Sequence, residues 1–216
     1  MKPQTLDFLT CRGTAKLSKR IVKMQKLWGA QEPTCLTTHV ACIITLHDAV
    51  AEAMGLFIDP DKLYVVETTT LNKWANKRGL QINSYEEWLI NYQGEVYLHH
   101  WAFERSDRFN QDAVKSVFQK LQDPKLQKYE SGILGGLELL LCVCGFKKAV
   151  IETAELHCTE LVAMLLKEFK ILVDIVSNNR IPPFEWWPEI IVKDKKRKGI
   201  IKRDSFVSLL EPVRVK

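Results

Sequence analysis

An α+β domain with a mostly antiparallel sheet is the fold class this sequence predicts, and two observations lead there. Strand-like and helix-like stretches are intermixed along the chain, with neither a βαβ repeat nor any internal repeat at a fixed period. The 216 residues are 46% hydrophobic and 26% charged, with few glycines and prolines, which suffices for one substantial core and a tail. That apolar content can offset the entropy of ordering, so a disordered chain is excluded.

The elements follow in order. Leu6 to Cys11 reads as a short strand ended by Arg12-Gly13. Thr14 to Trp28 places Leu17, Ile21, Met24 and Leu27 or Trp28 at helical spacing, with a basic outer face, and Gly29 to Pro33 breaks it. Thr37 to Leu46 is rich in β-branched residues and reads as a buried strand. Ala49 to Leu56 is either a short helix or an insertion, closed by Asp59-Pro60. Leu63 to Thr70 is another strand, Tyr85 to Tyr92 a short helix, and Glu95 to Phe103 alternates as a further strand. Gln111 to Leu121 is amphipathic, with Val114, Val117, Phe118 and Leu121 on one stripe. Ile133 to Cys144 is apolar on nearly every side, as a buried helix would be. Glu155 to Phe169 carries Leu161, Val162, Leu165, Leu166 and Phe169 on a helical stripe. After Val176 the pattern stops at the turn Ser177 to Arg180, and Pro182-Pro183 prevents further helix. The expected division is a domain over 1–176 and a Pro/Trp-containing basic extension over 177–216, separable from the body.

Charge and cysteine usage narrow the function. The formal net charge of +5 is concentrated between Lys193 and Arg203, where seven cations face only Asp194. The body is close to neutral, and basic residues interleaved with aromatics are absent outside that tail, so nucleic-acid binding is not expected. The N-terminus lacks the apolar run of a signal peptide. No apolar stretch is long enough to span a bilayer; Ile133 to Phe146 is too short and contains Glu138. A cytoplasmic or virion-associated protein is expected. Reduced thiols are then the default for Cys11, Cys35, Cys42, Cys142, Cys144 and Cys158. Cys142-x-Cys144 has no second pair at zinc spacing, and neither metal nor cofactor is expected.

Three residues stand out chemically. By period-two alternation His39 shares a strand face with Ala41 and Ile43, and that face packs inward or lines a cleft. Glu67 lies on the face of Leu63 and Val65, where a carboxylate is costly without a partner. A histidine on the adjoining strand would be within side-chain reach. Cys158 stands at or near the start of a strong helix, where the dipole and free N–H groups favour thiolate and commonly lower a cysteine pKa to roughly 3.5–7.5. A cysteine, a histidine and a carboxylate separated in sequence are what a thiol hydrolase requires. His157 is a rival base, but adjacent helix residues do not face each other, which favours His39. His47, His99 and His100 show no comparable partner pattern and read as surface or packing residues.

Several stretches resemble one known family. Thr38-His39-Val40-Ala41-Cys42-Ile43-Ile44 looks like the "S-H-V-G-I-V" strand of the circularly permuted papain-like amidases of the YiiX and YaeF type, relatives of the NlpC-type cell-wall peptidases. Leu156-His157-Cys158-Thr159-Glu160-Leu161-Val162 resembles their "Y-C-S-E-L-V" helix start. Leu6-Asp7-Phe8-Leu9-Thr10-Cys11-Arg12-Gly13 is similar to the opening "G-D-I-I-L-F-R-G" strand, Val66-Glu67-Thr68-Thr69 to the following "E-S-T", and Lys128-Tyr129-Glu130 to a "Y-D" element. The order histidine, carboxylate, cysteine matches the permuted branch. The likeness spans roughly residues 4 to 170; it departs at Leu6 and Ala41, where glycine is usual, and the Ala49 to Pro60 stretch looks inserted.

The resemblance implies a permuted papain-like fold and a catalytic triad of Cys158, His39 and Glu67 acting on an amide in a peptide or in peptidoglycan. Lipid esters or amides, handled by related thiol acyltransferases, are an alternative substrate class. A phage virion structural or interaction protein on this fold, with a vestigial or entry-specific site, is the alternative outside enzymology. Phe184, Trp186, Trp187 and the basic tail either cap the core or dock a protein partner.

Overall fold

The computed structural model describes residues 2–27, 32–45, 59, 62–72, 77–102, 112, 113, 116, 119, 158–169, 171–174, 202, 203 and 210–216. They form strand β1 (Phe8–Gly13), helix α1 (Lys16–Leu27), a 3-10 turn (Thr34–Leu36), β2 (His39–Thr45), β3 (Leu63–Asn72), β4 (Lys77–Ser84), helix α2 (Tyr85–Asn91), β5 (Gly94–His99), helix α3 (Cys158–Glu168), and short strands β6 (Leu172–Asp174), β7 (Lys202–Arg203) and β8 (Val213–Arg214). A six-stranded sheet has the order β4-β3-β2-β1-β5-β8, every adjacent pair antiparallel, and β6 pairs with β7 separately. The α+β class with an antiparallel sheet is therefore what the chain adopts.

The sheet is buried on both faces. Leu9, Cys11, Ala41, Ile43, Val65, Val96 and Leu98 share one face and pack on Trp88 of α2. Phe8, Val40, Cys42, Ile44 and Val66 alternate with them and are also fully buried. Helix α3 packs against β2 and β3 through a side that buries Leu161, Val162, Leu165 and Leu166. On α1 the cations Lys16, Lys19, Arg20, Lys23 and Lys26 are exposed, as its basic outer face predicts.

Polar groups fix how β1 and β2 enter the sheet. Gln25 of α1 is buried, and its amide donates to the carbonyls of Cys35 (2.7 Å) and Thr37 (2.8 Å), so both of its N–H groups are satisfied while tying α1 to the segment that leads into β2. The Thr38 N–H donates to Cys11 O at 2.8 Å, and Gly13 N–H donates to Thr38 Oγ1 at 3.0 Å. Leu6, just ahead of β1, has φ 69°, the left-handed region that favours glycine. It is held there by its N–H bond to Ile43 O (2.7 Å), by Trp101 Nε1–H donating to its carbonyl (2.9 Å) and by complete burial of its side chain. Gly94 has φ +145°, and a Cβ there would stand 2.2 Å from Arg12 O, so the β1–β5 pairing requires glycine.

The structure departs from the sequence expectations in several places. Strand β4 was not foreseen: Lys77-Arg78-Gly79-Leu80-Gln81-Ile82-Asn83-Ser84 has too little apolar weight to read as a strand, and it is held by backbone pairing to β3. Within the expected extension, the described C-terminal residues join the sheet. Arg214 and Val213 pair with Tyr97 and Leu98, Val215 N–H donates to Val96 O at 2.9 Å, and Val215 packs on the core, so strand pairing crosses the expected boundary at 176. Asp112, Ala113, Ser116 and Gln119 are helical, within the amphipathic stretch. The expected buried helix at 133–144, the stretch Ala49 to Leu56 read as a short helix or an insertion, His47, His157, Cys142, Cys144, Phe184, Trp186 and Trp187 lie outside the described residues.

Candidate active site

His39 opens β2, and its level in the sheet is set by pairing with Cys11 of β1. On the other side β3 runs antiparallel, with Ile43 opposite Val65. Continuing that register puts Glu67 beside Ala41, diagonal to His39 on the same face, a relation long side chains can span. They do: His39 Nε2 lies 2.6 Å from Glu67 Oε2, with side-chain exposures of 14% and 4%. A carboxylate only accepts, so Nε2 carries the hydrogen and Nδ1 is left to face other groups. The sequence expectation that Glu67 needs a partner and His39 supplies it describes this contact.

The third residue comes from far along the chain. Cys158 is the first described residue of α3, 6% exposed, and its thiol lies beside His39, close enough to act on its titration. The first N–H groups of a helix have no intrahelical acceptor and suit an oxygen brought near them. Burial pulls the His39 pKa down, but the Cys158 charge and hydrogen bond, followed by the Glu67 hydrogen bond and charge, overcome it and lift His39 from 6.5 to about 10. A histidine raised to about 10 holds its second proton across neutral pH. The described residues include no group of three or more His, Cys, Asp or Glu side chains suited to a metal ion.

Further side chains border the triad without any signal in the sequence. Cys11, fully buried, is pushed well above its ordinary pKa by burial, with Glu67 and Cys158 adding to the effect, and stays a neutral thiol. The Tyr92 ring lies at 6.5 Å and 16° from the His39 imidazole, and burial pushes its hydroxyl well above the ordinary pKa. Gln81 of β4 is the cross-strand partner of Glu67 and is 3% exposed. Alternation puts Cys11 on an inward face, but only strand order makes it the neighbour of His39. For Gln81 the strand itself was missed.

The other histidines separate by environment. His99 is buried, its Nε2 2.7 Å from Thr10 Oγ1 and its ring stacked on Phe8 at 4.5 Å, and burial lowers its pKa to about 3. That fits a packing role. His100 corrects the expectation, because it does have a carboxylate partner: Nδ1 lies 2.7 Å from Asp7 Oδ2, and both are buried. Asp7 also accepts from Gln4 N–H at 2.7 Å. This second pair braces the chain ahead of β1 against the end of β5.

No protein-family model matches the chain, and no curated protein resembles it closely enough to count as a relative. Among the described residues no helix is long and apolar enough to cross a membrane.

Proposed function

We propose that this chain is a cysteine hydrolase that cleaves an amide bond in a peptide or in peptidoglycan, on a permuted papain-like fold. One observation carries the reading: a thiol, a buried imidazole and a buried carboxylate, 119 residues apart from first to last in the chain (158 − 39), stand side by side, the imidazole hydrogen-bonded to the carboxylate at 2.6 Å. Isolated buried cysteines are usually inert, whereas a thiol beside an oriented imidazole is equipped for nucleophilic attack.

In the proposed cycle His39 holds the proton of Cys158, and the thiolate sulfur attacks the carbonyl carbon. The carbonyl π electrons move onto oxygen, and the N–H groups at the start of α3 stabilise that oxyanion. The tetrahedral adduct collapses, the C–N bond breaks, and the leaving amine takes the proton from His39. Water then attacks the thioester carbon, giving its proton to His39, and collapse breaks the C–S bond to release the carboxylic acid. Glu67 keeps Nε2 protonated, so Nδ1 works as acid and base in both halves.

Incubation with a thiol-directed electrophile and with peptide and muropeptide amides tests the reading. Stoichiometric labelling at Cys158 and turnover that vanishes in Cys158→Ala are expected. Labelling at another cysteine, or full turnover in that variant, would overturn it.

A further inference from the structure

Tyr92 takes no part in the proton transfers proposed above, yet it meets the site from two sides. Its backbone is fixed, because Tyr92 caps α2 and donates its N–H to Trp88 O at 2.9 Å. One face of its ring stacks on Trp88, centroids 4.8 Å apart, and Trp88 is itself fully buried in the core. The same ring stands nearly parallel to the His39 imidazole at 6.5 Å, within the range of offset stacking. Its hydroxyl reaches the β1 strand near Gly13, where a Cβ would lie 3.3 Å from that oxygen, two residues from Cys11, the partner of His39 across β1 and β2.

An imidazole held only through Nε2 can still swing about its Cβ–Cγ bond, which would carry Nδ1 away from the sulfur. A second, planar constraint removes that freedom, and productive geometry requires the ring within roughly 10–20°. We propose that Tyr92 is a positioning residue for His39, its ring, backed by Trp88, the wall that fixes the imidazole plane. The inference rests on the hydrolase reading of Cys158 and His39.

The test uses the full-length protein, with Cys158 alkylation by iodoacetamide measured against pH and the His39 ring followed by ¹⁵N NMR. Tyr92→Phe keeps the planar wall and should leave alkylation at neutral pH within about twofold of wild type. Tyr92→Leu, which fills space without a planar ring, should slow alkylation by roughly ten- to a hundredfold and move the His39 titration down towards 6.5. A Tyr92→Leu protein that melts earlier but keeps the wild-type rate and His39 titration would overturn the proposal by making the role purely structural, as would a Tyr92→Phe protein as slow as Tyr92→Leu. A wild-type protein in which Cys158 is no faster than an ordinary thiol would defeat the hydrolase reading itself, and this assignment with it.

Discussion

Among the thiols, access and partners differ enough to order their reactivity. Cys11, Cys35 and Cys42 are fully inaccessible, and burial pushes each of their pKa values up, whereas Cys158 is 6% exposed and lies beside His39. Of these four, Cys158 should be alkylated first in the folded protein; peptide mapping after brief labelling checks this, and prior modification of Cys11 or Cys35 would refute the nucleophile assignment. His39→Ala removes both the base and the charge opposite the sulfur, and should lower turnover by roughly 10²–10⁴-fold. Glu67→Gln keeps the shape and a hydrogen bond but loses the charge that helps hold His39 near 10, so its loss should be smaller and its activity should fall off at lower pH on the alkaline side. Turnover across a pH series for the two variants separates these effects. A Glu67→Gln protein as inactive as His39→Ala would mean that the carboxylate does more than orient the ring.

At the scale of elements, two backbone positions carry the entry and return of the central strands. Gly94→Ala places a methyl group 2.2 Å from Arg12 O in a backbone conformation L-residues rarely adopt, so β1 and β5 must separate locally. A loss of about 2–4 kcal/mol is expected, read as a shift in the denaturant midpoint. Leu6→Gly tests two opposing effects. It relieves a left-handed conformation worth about 1 kcal/mol, but it empties a fully buried leucine site worth about 3–5 kcal/mol. Net destabilisation is expected, and a variant of unchanged or greater stability would show that the backbone strain outweighs the packing.

For the whole molecule, strand pairing makes the C-terminus part of the body. A chain ending at Asn179 lacks β7 and β8 and the Val215 contact, so it should unfold several degrees earlier than the full-length protein, whereas a separable tail would leave the midpoint unchanged. Two buried histidines set opposite pH limbs. His39, raised to about 10, contributes stability that is complete below pH 6.5 and is lost as pH rises through about 10. His99, lowered to about 3, is neutral in the fold; below pH 6.5 the unfolded chain binds the extra proton, and stability declines as pH falls towards 3. The thermal midpoint should therefore peak near pH 6.5. His39→Gln should flatten only the alkaline limb, and His99→Gln only the acid limb; a midpoint that climbs steadily from neutral to alkaline pH would contradict the His39 assignment.

The linear sequence carried what depends on local periodicity and on the cost of burying particular groups. Alternation placed β1, β2, β3 and β5, helical spacing placed α1 and α3, and the expense of an inward carboxylate marked Glu67 as needing a partner. Those preferences act over a few residues and are written into neighbouring side chains. Strand order and register are not local, because they follow from which strands exclude water together. The tertiary structure alone therefore decided that Cys11 is the neighbour of His39, that Tyr92 stands over the imidazole, that His100 is matched to Asp7, and that Val213–Arg214 close the sheet. Strand β4 shows the same limit from the other direction: its side chains give little reason for a strand, and its place comes from backbone hydrogen bonds that only the edge of β3 can supply.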